Sequence, residues 1–220
     1  MNSFYNQPKI LQWLESIILC LIGLFPVLYF IDQAYSQLSY YFLFLIYVPV
    51  AQFSVSPISK LTGIYHYYSP MLSAFIPTEK EIELHSGTSF DYLFIMRKYS
   101  AGIRFRYVLI YYFMEGLLKI IESIESKEIP DTVKIVGTSY FFSQSTATKL
   151  AFSIKDPSIL DRVNFILNFP DLLWMYSLSQ GKFSIPNVLK LKKIVIDGKT
   201  LCNNKNKITD IYIFLKGKVM

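Results

Sequence analysis

Residues that do chemistry are scarce in this chain. Two cysteines, Cys20 and Cys202, cannot build a disulfide framework, which agrees with a reducing compartment. Two histidines, His66 and His85, stand apart, and no CxxC or HExxH run accompanies them. There is no GxGxxG fingerprint. The one P-loop echo, Gly198-Lys199-Thr200, has Lys193 where the pattern needs glycine. Neither a metal nor a cofactor is therefore expected. Charge is short as well: 17% of residues are charged, against about 25% in soluble domains. With 52% hydrophobic residues, either part of the chain sits in lipid or the core is oversized. A cleavable leader is not expected. The first apolar run is too long for one, and no small-x-small site follows it. Leu19, before Cys20, is bulky where a lipoprotein signal carries a small residue.

What the chain has in excess is apolar length. One run extends from Ile10 to Ile31, a second from Leu38 to Ile58. A bilayer core needs about 20 helical residues, and each run supplies them. Pro26 and Pro49 fall inside, where membrane helices tolerate proline better than soluble ones do. Trp13, Tyr29, Tyr40 and Tyr41 lie near the run ends, as an interfacial aromatic belt requires. The alternative is a buried helical hairpin in a soluble fold. The connection "DQAYSQ" has one acid and no Lys or Arg, whereas Lys9 and Lys60 flank the runs. The positive-inside bias then places both termini in the cytoplasm of an integral membrane protein. From Lys182 onward nine lysines face only Asp197 and Asp210. The expected partner of this basic tail is the bilayer, through anionic lipid headgroups, or else it is a solvated lysine face. No nucleic acid is expected, because no zinc motif or aromatic-basic signature is present. A protein partner stays open.

The expected fold is an N-terminal two-helix transmembrane hairpin plus a C-terminal α/β domain. The hairpin takes residues 1–58, with helices at about 10–31 and 38–58. An interfacial junction, 59–80, is broken by Pro70 and Pro77. The cytoplasmic α/β domain, 81–220, has a mixed, partly parallel sheet with flanking helices. "KEIELHSG" alternates as a strand, with Ile82 and Leu84 on one face and Glu83 and His85 on the other. "FDYLFIM" reads as a strand buried on both sides. A long amphipathic helix follows from Ile103, rather than a third span, because Arg104, Arg106, Glu115 and Lys119 would lie in lipid. A strand at Val133–Val136 completes a βαβ unit. Asp156 is expected to cap a helix starting at Pro157, and Gly181 to end the next one. "KKIVIDGKTL" reads as a hairpin turning at Asp197-Gly198, and "DIYIFLK" as a last strand.

Gly-Thr-Ser occurs twice, at residues 87–89 and 137–139. The second copy falls at the carboxyl end of the expected parallel strand, where open α/β sheets bind ligands. Gly137, Thr138, Ser139, Ser143 and Ser145 are the ligand-binding candidates, able to offer N–H and hydroxyl donors to an anion. The alternative is a turn and a helix cap. The first copy adjoins His85 and Asp91, the two catalytic candidates. Residues this close in sequence rarely form a triad's line of hydrogen bonds. Two functions compete. One is a membrane-anchored protein whose cytoplasmic domain binds lipid headgroups or a protein partner. The other is a membrane-tethered transferase or hydrolase acting on a lipid-linked or phosphate-bearing substrate. The enzyme reading requires His85, Asp91 and the 137–145 segment to meet at one pocket.

Overall fold

The computed structural model describes residues 4–34, 37, 39–139 and 144–220. A short 3₁₀ turn, Phe4–Asn6, precedes two helices, α1 (Lys9–Ala34) and α2 (Ser39–Leu61). They pack antiparallel. A Cβ on Gly23 would overlap Ser54, Phe30 stacks edge-on with Tyr47 at 5.6 Å, and Tyr5 lies under the Lys60 ammonium. Among the described residues one helix is long and apolar enough to cross a membrane, and it spans Lys9–Gln33. Its outer face is bare: Ile10 is 81% exposed and Phe25 74%.

The expected second span is a correction. The C-terminal half of α2 is built into the domain. Ser56 and Ser59 are buried there, and Phe53 packs on Phe90 at 5.3 Å. The dozen residues left rise about 18 Å, well short of a roughly 30 Å hydrocarbon core. The two-helix transmembrane hairpin thus reduces to one candidate span packed against a second helix.

The rest is a mixed sheet with flanking helices. β1 (Tyr65–Ser69) and β2 (Leu72–Phe75) form a hairpin inside the segment read as an interfacial junction. β3 (Glu81–Ser86) joins β2 antiparallel and β4 (Lys134–Ser139) parallel, and β5 (Ser153–Lys155) and β6 (Lys192–Asp197) complete the order β1-β2-β3-β4-β6-β5. Leu84 pairs with Gly137 and Ile82 with Ile135. This register puts Ile82, Leu84 and Ile135 on one buried face, consistent with strand alternation.

Between β3 and β4 come α3 (Ser89–Phe94) and α4 (Ile103–Glu125). Val108, Leu117, Ile120 and Ile121 of α4 are fully buried in the core with Ile82 and Ile135. Each such side chain contributes about 1.5–3 kcal/mol by leaving water. Gly116 is where α4 meets β2, and its missing Cβ makes room for Leu72. After β4 come α5 (Gln144–Lys149), α6 (Ile159–Leu167) and α7 (Phe169–Gln180). α8 (Gly198–Asn203) and α9 (Lys205–Val219) close the chain, with α9 packed along α4. Gly181 ends α7 in the left-handed conformation at φ 70°, as the sequence suggests.

Three elements differ from expectation, and side-chain caps account for two of them. "FDYLFIM" is helical from Ser89, because Thr88 and Asp91 form a reciprocal capping box. Asp197-Gly198 is no hairpin turn: the Asp197 carboxylate accepts from Thr200 N–H and starts α8. The last segment, around Ile211, is helix α9 rather than a strand, and its Ile208, Leu215 and Val219 are buried in the core that α4 helps to form. The start of α6 also moves, to Ser158 as N-cap with Asp161 as its box partner, in place of Asp156.

Candidate functional site

Parallel pairing sends the carboxyl ends of β3 and β4 to the same edge of the sheet. Gly87-Thr88-Ser89 leaves β3 there, and Gly137-Thr138-Ser139 forms the last residues of β4 itself. At this edge lies a cavity of about 430 Å³. Its floor is the sheet face turned away from the core, where Ser73, Glu83, His85 and Thr138 project. Asp161 and Asn164 of α6 and Asp171 of α7 roof it. Gln52 and Ser56 of α2 supply a wall. The polar alternation of β3 therefore lines a cavity and is not simply turned to bulk water.

The lining has its own electrostatics. His85 Nε2 lies 3.9 Å from Glu83 Oε1. Burial pushes the His85 pKa below its ordinary value, and Glu83 opposes that only in part. Asp161 is also pushed up by burial. The N–H and hydroxyl of Ser158, at 2.7 and 2.8 Å, together with Lys193 at 3.5 Å, more than offset this and hold it below the usual carboxylate range. Thr138 donates its hydroxyl to Asp161 at 3.4 Å. Burial raises the Asp171 pKa, against the Ser89 hydroxyl and the Trp174 indole N–H at 3.3 Å. Among the described residues the buried hydroxyl of Ser73 has no hydrogen-bond partner, and Ser73 is the cross-strand neighbour of His85. A buried hydroxyl in that condition lacks about 1–3 kcal/mol of compensation that a ligand can supply.

The sequence candidates divide around this cavity. His85 and Thr138 line it together. Gly137 is buried within β4, and Ser139 is half-buried at its end. Ser145 is exposed on α5, away from the lining. Ser143 lies outside the described residues. Asp91 is fully buried and is not part of the lining. It accepts from Tyr5 at 2.8 Å, Tyr67 at 2.6 Å, and the Thr88 N–H and hydroxyl at 2.9 and 3.0 Å. Both phenols sit well above their usual pKa, through burial first and then the Asp91 charge. Such a carboxylate joins the N-terminal turn, β1 and α3, and none of its donors is left for a substrate.

Sequence reasoning did not single out Ser73, Asp161, Asp171 or Gln52. A signal existed for one: Ser158-x-x-Asp161 has the capping-box spacing that also marks Thr88-x-x-Asp91. Among the described residues no three of His, Cys, Asp and Glu gather closely enough to hold a metal ion. Compared with known proteins, the chain matches no family model, no curated protein and no solved structure.

Proposed function

We propose that this is a membrane-anchored protein whose α/β domain binds the polar part of a membrane-delivered molecule in the cavity at the carboxyl edge of β3 and β4. The observation that carries this reading is the composition of the wall: Gln52 and Ser56, from the helix packed on the candidate span, line the same space as His85 and Thr138. In this reading α1 is held in the bilayer and α2, packed antiparallel against it, carries the chain into the domain. The contact of Tyr5 with Lys60, at opposite ends of the pair, supports that path. Lys9, Lys60 and the nine C-terminal lysines support a cytoplasmic place for the domain. Glu83, Asp161 and Asp171 line the cavity, and Lys193, paired with Asp161 at 3.5 Å, offsets one of them, so its ligand is hydroxyl-rich or cationic and not a phosphate.

Native mass spectrometry of the full chain, released from membranes in mild detergent, tests the binding claim. A small-molecule adduct is expected in the wild type and absent in Asn164→Trp, which places a large ring at the mouth from an exposed position. Equal adducts in both proteins, or none in either, would contradict it.

The cross-strand pair Ser73–His85, with Glu83 beside the imidazole, favours a second reading: a hydrolase or transferase acting on a lipid-linked substrate. His85, held neutral by burial, would take the Ser73 proton as Oγ attacks an ester's acyl carbon and would pass it to the departing alcohol, leaving an acyl-serine that water or an acceptor alcohol clears. A fluorophosphonate probe should then label the wild type and not Ser73→Ala or His85→Gln. Lack of wild-type labelling would remove this reading and leave the binding one.

A further inference from the structure

A second cavity, also of about 430 Å³ and lined by Tyr67, has the opposite charge. Lys60, Arg97 and Lys98 line it, and no carboxylate does among the described residues. None of the three cations forms an ion pair among those residues. Arg97 lies over the Phe94 ring at 6.0 Å and Lys98 over Tyr99 at 5.0 Å. The Lys60 ammonium is clamped between the rings of Tyr5 and Tyr67, at 3.7 and 3.9 Å. That clamp fixes a cation that would otherwise sample many rotamers. Asp91, the one acid nearby, is turned inward behind both phenols and has four donors already. Two exposed cations thus have no acid partner among the described residues, and the third, Lys60, feels the Asp91 charge from behind the phenols. Around one concavity they suit a phosphate group, and Arg supplies the forked donor geometry that phosphate oxygens match.

The place of the cavity names the source of that phosphate. Asn6, at the entry to α1, and Lys60, at the exit of α2, both line it. Phe94, Ile95 and Pro70 add an apolar side to the same space. An amphiphile with a phosphate head and an acyl tail meets both kinds of surface, whereas a free phosphate meets one. We propose that this second cavity is a binding site for the phosphate of an anionic phospholipid headgroup. It uses different residues from the sheet-edge cavity and stands without it, but it rests on the anchoring of α1.

The test uses the full chain in neutral detergent at fixed salt, with dioctanoyl phosphatidylglycerol, dioctanoyl phosphatidylcholine and inorganic phosphate as separate ligands. Arg97 and Lys98 are exposed, so R97Q/K98Q removes charge without disturbing the core. Phosphatidylglycerol should bind the wild type at least tenfold more tightly than phosphatidylcholine. The double variant should lose about thirtyfold of that affinity, since each cation near a bilayer surface is worth roughly fivefold. Unchanged affinity in the double variant, or equal binding of the two lipids, overturns the site. Displacement of the lipid by inorganic phosphate at similar concentration overturns the lipid as its source. Retention of the double variant in the membrane fraction shows that anchoring itself has not failed.

Discussion

Replacing Asp91 by alanine should unfold much of the junction between anchor and domain. Its carboxylate receives four hydrogen bonds, from two phenols and from the Thr88 N–H and hydroxyl. Alanine leaves these donors without an acceptor. The Thr88 N–H at the start of α3 costs about 1–3 kcal/mol when buried and unpaired. The two phenols line the second cavity and can turn toward it, so each costs about 1 kcal/mol. The Thr88 hydroxyl also loses its acceptor, for about 1 kcal/mol. The total is about 4–6 kcal/mol, a large part of the ~5–15 kcal/mol that holds a typical domain folded. Asparagine keeps one acceptor and loses the charge, for about 1–2 kcal/mol. The assay is urea denaturation of the full chain in detergent, followed by Trp174 fluorescence in a Trp13→Phe background. Trp174 packs on the buried ring of Tyr92 at 5.8 Å and so reports this region. A loss under about 1 kcal/mol for Asp91→Ala would refute the structural role given to this carboxylate. So would abolished ligand binding at unchanged stability.

Three other outcomes follow from local geometry. Gly116→Ala should destabilise by about 1–3 kcal/mol, although alanine is the better helix former, because the added Cβ would lie 2.5 Å from Leu72 Cδ2; a rise in the urea midpoint would contradict that packing. Ser158→Ala should cost about 1 kcal/mol by removing the cap that accepts the Asp161 N–H at 3.1 Å, and faster amide exchange at the start of α6 should report it. Stability should also carry a histidine signature. The folded His85 pKa lies below its unfolded value of about 6.5, so the unfolded chain takes up the proton first. The His85 contribution is complete above about pH 6.5 and declines as pH falls through that value. His85→Gln should flatten the pH dependence of the midpoint between about pH 5 and 6.5, and an unchanged slope there would contradict the burial of His85.

Periodicity made part of this molecule legible. The alternation of Glu81–Ser86 and the amphipathic run from Ile103 to Glu125 read correctly from pattern alone, and they are the first strand and the long helix of the unit whose two strands, β3 and β4, pair in parallel. Short apolar segments did not. "FDYLFIM" has the composition of a buried strand, and only the Thr88–Asp91 box decides for helix. "DIYIFLK" is rich in strand formers, yet α9 gains more by packing three buried side chains into the core. Hydropathy also overextended the second membrane helix, since the buried serines of α2 satisfy their hydroxyls on the preceding turn and read as apolar filler. Of the site, His85 and Thr138 were visible because they close two strands at one edge. Ser73 and Asp171 come from β2 and α7, and nothing in linear spacing links them to that edge. Asp91 stood out by its nearness in sequence to His85, whereas its carboxylate faces Tyr5, Tyr67 and Thr88 and not the cavity.

The account depends first on the chain being held in a bilayer by α1. Alkaline carbonate extraction of membranes from cells expressing the full chain tests this most directly. The protein is predicted to remain in the membrane pellet at high pH, and to be released when Leu21 and Phe25, both on the bare face of α1, are changed to lysine. Release of the intact wild-type chain into the supernatant would contradict the anchor, and with it the membrane delivery of a ligand to the cavity walled by α2.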